Sequence, residues 1–207
     1  DIAWQFALME QVARDSETGL LYHGWDESRQ QRWCDPQTGC SPHFWGRAVG
    51  WYAMALVDVL ELFPHQHPIR PDLEAVFQRL VEAIQQVQHP TSGLWYQVLD
   101  KGHKPGNYFE ASASCMFTYA VAKAVRLGIL PAESLEIARR AWQGILREFI
   151  REGEDGLVYL DKTCGVAGLG GDPYRDGSYE YYITEKRVDN DTKGVAPFIL
   201  AAIELDK

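Results

Sequence analysis

Positive charge is scarce in this 207-residue chain: 20 Lys and Arg stand against 29 Asp and Glu, a formal net charge of −9. That balance argues against nucleic acid as the partner. Any site for an anion must therefore be built locally, from an arginine or a helix N-terminus. Long uncharged apolar runs are also missing. The most apolar stretch, Pro42 to Phe63, is interrupted by Arg47, Asp58 and Glu61, so no segment reads as a bilayer span and no membrane partner is expected. Cysteine is sparse. Cys34, Cys40, Cys115 and Cys164 offer neither a second close pair nor histidines at ligand spacing, so no zinc site is expected. Cys34 and Cys40 share a loop and a disulfide between them is conceivable, but no other mark of secretion accompanies them; four free thiols and a cytoplasmic location are the expectation. The glycine-rich run Val166 to Gly171 lacks the Lys-Ser/Thr of a phosphate loop. The chain opens on Asp1 with neither an initiator Met nor a signal peptide, which we expect to reflect processing or truncation.

Hydrophobic residues make up 46% and charged residues 24%, enough apolar material for one good core. A small phrase recurs three times: Gly19-Leu20-Leu21-Tyr22, Gly93-Leu94-Trp95-Tyr96 and Gly156-Leu157-Val158-Tyr159. Each follows polar residues, so each reads as a turn into a short extended piece, and the period is long enough to hold two helices.

Two kinds of helix alternate around these phrases. Asp1–Arg14, Pro71–Gln88 and Pro131–Arg151 are amphipathic; in the second, Leu73, Val76, Phe77, Leu80, Ile84 and Val87 share one face. Pro42–Phe63, Tyr108–Leu127 and Thr192–Leu205 are apolar nearly all round, which suits an inner layer. Asp191 is the expected cap of the last, with Pro197 an expected kink or delay. The fold class is therefore all-α, with alternating outer and inner helical hairpins. Three hairpins make an arc, about half of a double-layered ring, in a single partial domain over residues 1–207. Half a ring leaves apolar inner faces open to self-association.

In such a ring a pocket lies where the inner helices begin. Tyr22, His23, Trp25 and Asp26 precede the first, and Trp45, Arg47 and Trp51 lie on its first turns. Tyr96, Asn107, Tyr108 and Glu110 surround the start of the second; Tyr174, Arg175, Asp176, Tyr179, Tyr181 and Tyr182 precede the third. Arg can fork onto a carboxylate and an indole face can stack on a sugar ring. Other roles stay open: His23 can satisfy a loop carbonyl, Glu110 can cap its helix, and Asp26 with Glu27 can be a solvated turn.

Six segments carry a resemblance: GLLYHGWDES (19–28), SPHFWGRAVGWYAMALVDVLE (41–61), SGLWYQVLD (92–100), NYFEASASCMF (107–117), VAGLGGDPYRDGSYEYY (166–182) and NDTKGVAPFILA (190–201). Together they run almost end to end, and with them the chain resembles glycoside hydrolase family 105, the unsaturated rhamnogalacturonyl hydrolases, related to the unsaturated glucuronyl hydrolases of family 88. The resemblance implies an (α/α)6 barrel. It implies removal of a 4,5-unsaturated uronic acid from the non-reducing end of lyase-generated oligosaccharides. The reaction is hydration of the enol ether: an Asp protonates C4, water reaches C5, and the hemiketal opens. No cofactor or metal is implied, and the partner is a small oligosaccharide. Residue by residue, His23, Trp45, Arg47 and Trp51 match positions lining the uronide subsite, Arg47 and His23 on its polar groups and the tryptophans flanking its ring; Tyr108 and Glu110 complete the candidate substrate-binding set. The family's catalytic Asp, in a WxDGLxMA-type motif, has no match here. It is expected roughly two dozen residues ahead of Asp1, so no catalytic residue is expected in this chain and the chain alone is expected to be inactive. The competing expectations are a non-catalytic carbohydrate-binding or scaffold module and a sugar epimerase, the latter needing a pair of histidines at the pocket.

Overall fold

A computed structural model describes all residues, Asp1–Lys207. In chain order the helices are α1 (Ile2–Ala13), α2 (Gly46–Leu62), α3 (Arg70–Gln86), α4 (Ala111–Arg126), α5 (Leu135–Glu148, after one 3-10 turn at Ala132–Ser134), α6 (Tyr179–Thr184) and α7 (Thr192–Leu205). Four short strands accompany them. β1 (Ile150–Glu152) pairs antiparallel with β2 (Val158–Leu160), and β3 (Thr163–Cys164) with β4 (Arg187–Val188).

The six long helices are the six expected from periodicity, with shifted ends. α2 begins at Gly46, because the chain bends at Pro42 and His43 and Trp45 is extended and bridges Val98. α5 stops at Glu148, because Ile150 and Arg151 leave the helix for β1. "All-α" is thus too strict: of the expected extended pieces, the third forms a ladder as β2 and the first two make single bridges, Leu21 with Arg14 and Tyr96 with Phe109, while the β3–β4 ladder was not expected. α6 was not expected as a helix; Ser178 caps it by accepting from the Tyr181 N–H at 3.2 Å. Asp191 caps α7 through the Lys193 N–H at 2.9 Å, and the helix runs through Pro197.

α4 is the centre. Fourteen consecutive residues, Ala111 to Ala124, are buried, and α2, α5 and α7 pack against it. Small residues allow the closeness: a Cβ on Gly46 would sit 2.9 Å from the Ala113 Cβ, and one on Gly50 would sit 2.7 Å from the Met116 sulfur. α3 packs on α2 and α1 on α3, so α2, α4 and α7 form an inner layer and α1, α3 and α5 an outer one. Each buried Leu, Phe or Met in this core contributes roughly 1.5–3 kcal/mol. At the far end of the inner layer a charged network ties the three helices together. Lys123 of α4 meets Asp58 at 2.8 Å and Glu61 at 2.7 Å on α2, while Arg126 joins Glu61 at 2.9 Å to Glu204 of α7 at 2.7 Å.

The repeated phrase has one structural job, done three times. After each outer helix the chain turns back on itself: the Asp15, His89 and Gly153 N–H groups donate to the Leu20, Leu94 and Leu157 carbonyls at 2.9, 2.9 and 2.8 Å. Gly19, Gly93 and Gly156 hold φ of +70, +75 and +73°, the left-handed turn that favours glycine. In the first two units the phrase's Tyr then packs, tilted, on the Phe just before the inner helix, Tyr22 on Phe44 and Tyr96 on Phe109, both at 4.5 Å between ring centres.

Two edges of the inner layer are unpartnered. On α2, Trp51 (46% exposed), Ala55 and Leu62 (86%) lie along one exposed stripe, near the α1 end of the chain where Ile2 and Trp4 are also exposed. On α7, Ala196, Ile199, Leu200 and Ile203 form the other.

The turns make a paired prediction. A Cβ at Gly93 would meet the Arg140 carbonyl oxygen at 2.5 Å, whereas one at Gly156 meets nothing within 4 Å. Gly156→Ala should cost only the left-handed conformation, about 1–2 kcal/mol. Gly93→Ala should cost about 3 kcal/mol or more, because backbone must also move. Urea unfolding of the two variants measures the difference; equal costs would contradict the geometry.

Candidate functional site

The mouths of α2 and α4 lie side by side because the second repeated phrase threads between them. The Gly46 N–H, first in α2, donates to the Gln97 carbonyl at 2.9 Å, and the Glu110 N–H to the Trp95 carbonyl at 2.9 Å. Trp45 and Glu110 therefore occupy equivalent positions, each the N-cap of an inner helix.

Around Trp45 the side chains form one packed cluster. The His23 ring lies 4.6 Å from it, Tyr182 stacks at 6.4 Å and 26°, and the Arg47 guanidinium lies over the indole at 4.8 Å. The indole N–H donates to Gln97 Oε1 at 3.1 Å; Gln97 Nε2 donates to the Tyr182 carbonyl at 3.2 Å and to the Cys164 sulfur at 3.1 Å. His23 Nδ1 and the Tyr182 hydroxyl are 2.6 Å apart. Burial, and second to it the Arg47 charge, push the His23 pKa down to about 4; burial pushes the Tyr182 phenol up. The short bond therefore joins two neutral groups.

Arg47 is 1% exposed. Its Nη1 donates to the Cys164 carbonyl at 2.6 Å and to the Ser112 hydroxyl at 3.3 Å, and no carboxylate lies within 4 Å of the guanidinium. A cation held this deep with no carboxylate in contact is expensive, and the usual remedy is an anion in contact. Glu110 is fully buried and does not supply it. Its carboxylate accepts from the Ala113 N–H at 2.7 Å, the Cys164 N–H at 2.8 Å and the Ser112 hydroxyl at 2.8 and 2.9 Å. The capping role left open for Glu110 is thus its observed one. Tyr108 is buried beside it with the Arg187 guanidinium 4.9 Å over its ring, and its hydroxyl has no hydrogen-bond partner.

Of the six expected site residues, five gather here: His23, Trp45, Arg47, Tyr108 and Glu110. Trp51 does not. Six residues on from Trp45, it stands on the exposed stripe of α2 and makes none of the ring contacts that join His23, Trp45 and Tyr182. Gln97, Ser112 and Cys164, not expected at the site, are integral, and Tyr182 is more central than its neighbours Tyr179 and Tyr181. The signal for Gln97 was the repeat: it follows Gly-Leu-Trp-Tyr as His23 follows Gly-Leu-Leu-Tyr. Tyr174 and Arg175 lie apart, Tyr174 under the Arg32 guanidinium and Arg175 bonded to the Gly170 carbonyl. A cleft of about 460 Å³ opens nearby, lined by Tyr22, Trp33, Cys34, Asp35, Thr38 and Cys40 among others, but none of the six residues borders it. No three His, Cys, Asp or Glu side chains are placed to share an ion.

The family model for Glycosyl Hydrolase Family 88 matches residues 1–207. The chain belongs to glycosyl hydrolase family 88. Among solved structures, this family 88 chain is similar to a family 105 glycoside hydrolase of C. acetobutylicum ATCC 824: 50% identity, TM-score 0.97, over 99% of this chain and 57% of that one. It is 45% identical over 192 residues to the 24.9 kDa protein in the picA locus of Rhizobium radiobacter, covering 90% of this chain and 82% of that protein. It is 32% identical over 123 residues to the unsaturated rhamnogalacturonyl hydrolase YesR of Bacillus subtilis, covering 59% of this chain and 33% of that protein. The family 88 chain thus spans little more than half of the solved relative. No helix in it is long and apolar enough to cross a membrane.

The burial of His23 makes stability pH-dependent. Its folded pKa, about 4, lies below the ordinary 6.5, so below pH 6.5 the unfolded chain takes up a proton that the folded chain refuses. Stability is lost as pH falls from about 6.5 toward 4, with a slope of up to about 1.4 kcal/mol per pH unit from this one group. Urea unfolding at stepped pH should find that component in the parent chain and not in His23→Gln.

Proposed function

We propose that this chain is the uronide-binding half of a hydrolase that removes a 4,5-unsaturated uronic acid, of the rhamnogalacturonan type, from the non-reducing end of lyase-generated oligosaccharides. The observation that carries the proposal is Arg47, a buried guanidinium with no carboxylate within 4 Å, lying over the Trp45 indole. A uronide carries the two features such a pair recognises: a carboxylate for the fork and a ring face for the indole. His23, neutral and at the same indole, suits hydroxyl recognition rather than charge pairing.

On this reading the chemistry is general acid catalysis at a carbon–carbon double bond. A carboxylic acid delivers a proton to C4 of the enol ether, water adds at C5, and the hemiketal collapses to release the next sugar. The cluster has no carboxylic acid free for that step, since Glu110 is committed to its helix and to Ser112 and Cys164. We place the acid, an Asp, on polypeptide preceding this chain in the parent enzyme. That polypeptide would also cover the apolar edges of α2 and α7 and close the ring. The four free thiols fit a reducing compartment, and a cytoplasmic location goes with this reading.

A second reading has one observation in its favour. The R. radiobacter relative is of about this size and is covered to 82%, as a self-sufficient three-hairpin module would be. That module would bind the carbohydrate without consuming it.

The two readings part in one experiment. The chain is incubated with unsaturated rhamnogalacturonan disaccharide, alone and extended upstream by the remaining hairpins, and the enol-ether absorbance is followed. We expect no loss from the chain alone and loss from the extended protein; loss from neither, with a tight stable monomer in sedimentation, would favour the binding module. In the extended protein Arg47→Met should raise KM by about 30-fold or more, the cost of removing one side of a buried charge pair. By the same logic the chain alone should self-associate in sedimentation velocity, through its two apolar edges.

A further inference from the structure

The residues behind Arg47 are arranged to keep two buried charges near each other and unpaired. Arg47 and Glu110 are both fully buried at adjacent helix mouths, where an arginine and a carboxylate would ordinarily meet in a bidentate pair. Two spacers stand between them. The Ser112 hydroxyl has a single proton, which it directs to Glu110 at 2.8 and 2.9 Å, so its lone pairs face Arg47 Nη1 at 3.3 Å. Cys164 repeats the arrangement with its backbone: its N–H donates to Glu110 at 2.8 Å and its carbonyl accepts from Nη1 at 2.6 Å. Each spacer is donor toward the anion and acceptor toward the cation, so each stabilises both charges in place. Both spacers engage the same nitrogen, and every side-chain hydrogen bond of Arg47 leaves from Nη1.

A simple helix cap does not need this. Capping α4 takes one bond, to the Ala113 N–H at 2.7 Å, and a shorter Ser, Asp or Asn supplies it. The longer Glu110 adds a Cys164 bond and a Ser112 bond, and both lead to Arg47.

We propose that Ser112 and Glu110 are positioning residues for anion recognition: Ser112 insulates Arg47 from Glu110, and Glu110 orients both spacers, so that Nε and Nη2 of Arg47 remain available to a ligand carboxylate. The proposal rests on the uronide reading given above. Without the Ser112 hydroxyl, Arg47 loses an acceptor and Glu110 a donor, and the vacancy is filled by direct pairing of the two, which removes the charge the ligand needs.

The test is equilibrium binding to the 207-residue chain, by NMR titration, of D-galacturonate and of its neutral methyl ester. The parent chain should prefer the acid. Ser112→Ala should lose about tenfold of that acid-over-ester preference while ester affinity stays within twofold, and Glu110→Gln, which keeps the shape of the cap, should lose it in the same direction. Exchange of the Arg47 guanidinium nitrogens should slow in Ser112→Ala as the direct pair forms. Ser112→Ala that keeps the acid preference within twofold overturns the insulator. A drop in acid and ester affinity alike also overturns it, since that is what a merely structural serine would give. No acid preference in the parent chain overturns the uronide reading first and the positioning role with it. If Ser112→Ala does not fold, Glu110→Gln decides by the same preference ratio.

Discussion

A guanidinium cannot leave water unless other oxygens replace the water it gives up, and the mouth of this fold is organised around meeting that demand at Arg47 incompletely. The Cys164 carbonyl and the Ser112 hydroxyl meet part of it, and the Trp45 π-face adds a weaker attraction. The conditions for that arrangement spread outward. Cys164 must stay where β3 holds it against β4, with its N–H on Glu110. Gln97 must lie between Trp45 and Tyr182, which requires the second repeated phrase to thread between α2 and α4. That threading requires the two helices to approach closely, which Gly46 and Gly50 permit against Ala113 and Met116. The local electrostatics and the inner-layer packing are one constraint seen at two scales.

The threefold phrase explains why the arrangement is asymmetric on a symmetric frame. All three turns share the left-handed glycine and a closing backbone hydrogen bond, the third turn being one residue shorter. The residue after each Tyr differs: His23 in the first unit, Gln97 in the second, Leu160 in the third. So do the three N-caps, Trp45, Glu110 and Asp191. The polar groups of the candidate site are concentrated in the first two units, while Leu160 belongs to the apolar core. The frame is repeated for folding, and the substitutions within it locate the site.

Much of this was legible in the chain. The six long helices and their two types came from the period of apolar residues, since a helix apolar all round has only one place to go. Arg47 and Trp45 stood out because a cation at the mouth of such a helix needs a reason. Other features were not legible for definite reasons. Trp51 lies on the same helix as Trp45 and six residues on, and sequence spacing alone did not say that the intervening turns carry it to an open edge. Glu110 could equally have been a ligand contact or a cap, and only burial decides between them. Cys164 acts chiefly through its backbone, to which residue identity is blind. Gln97 was legible in principle, by aligning the phrases one residue further.

The two unpartnered edges bear on how the site works. Trp51 heads the exposed stripe of α2 that ends at Leu62, so whatever covers the stripe also sets the surroundings of Trp51. The candidate cluster is packed ring on ring, with Trp45, Arg47 and Glu110 buried, and on the hydrolase reading it would form one wall of the site. On the hydrolase reading, an enol ether protonated at carbon would need its acid held opposite that wall, and water limited to the molecule that adds. Both depend on a facing surface, and the open stripes of α2 and α7 are the apolar borders along which such a surface would seat. Burying them would supply folding energy to the same contact that completes the pocket. On the hydrolase reading, stability and catalysis are therefore coupled at the edges of α2 and α7, while selectivity for the uronide stays with Arg47 and the groups behind it.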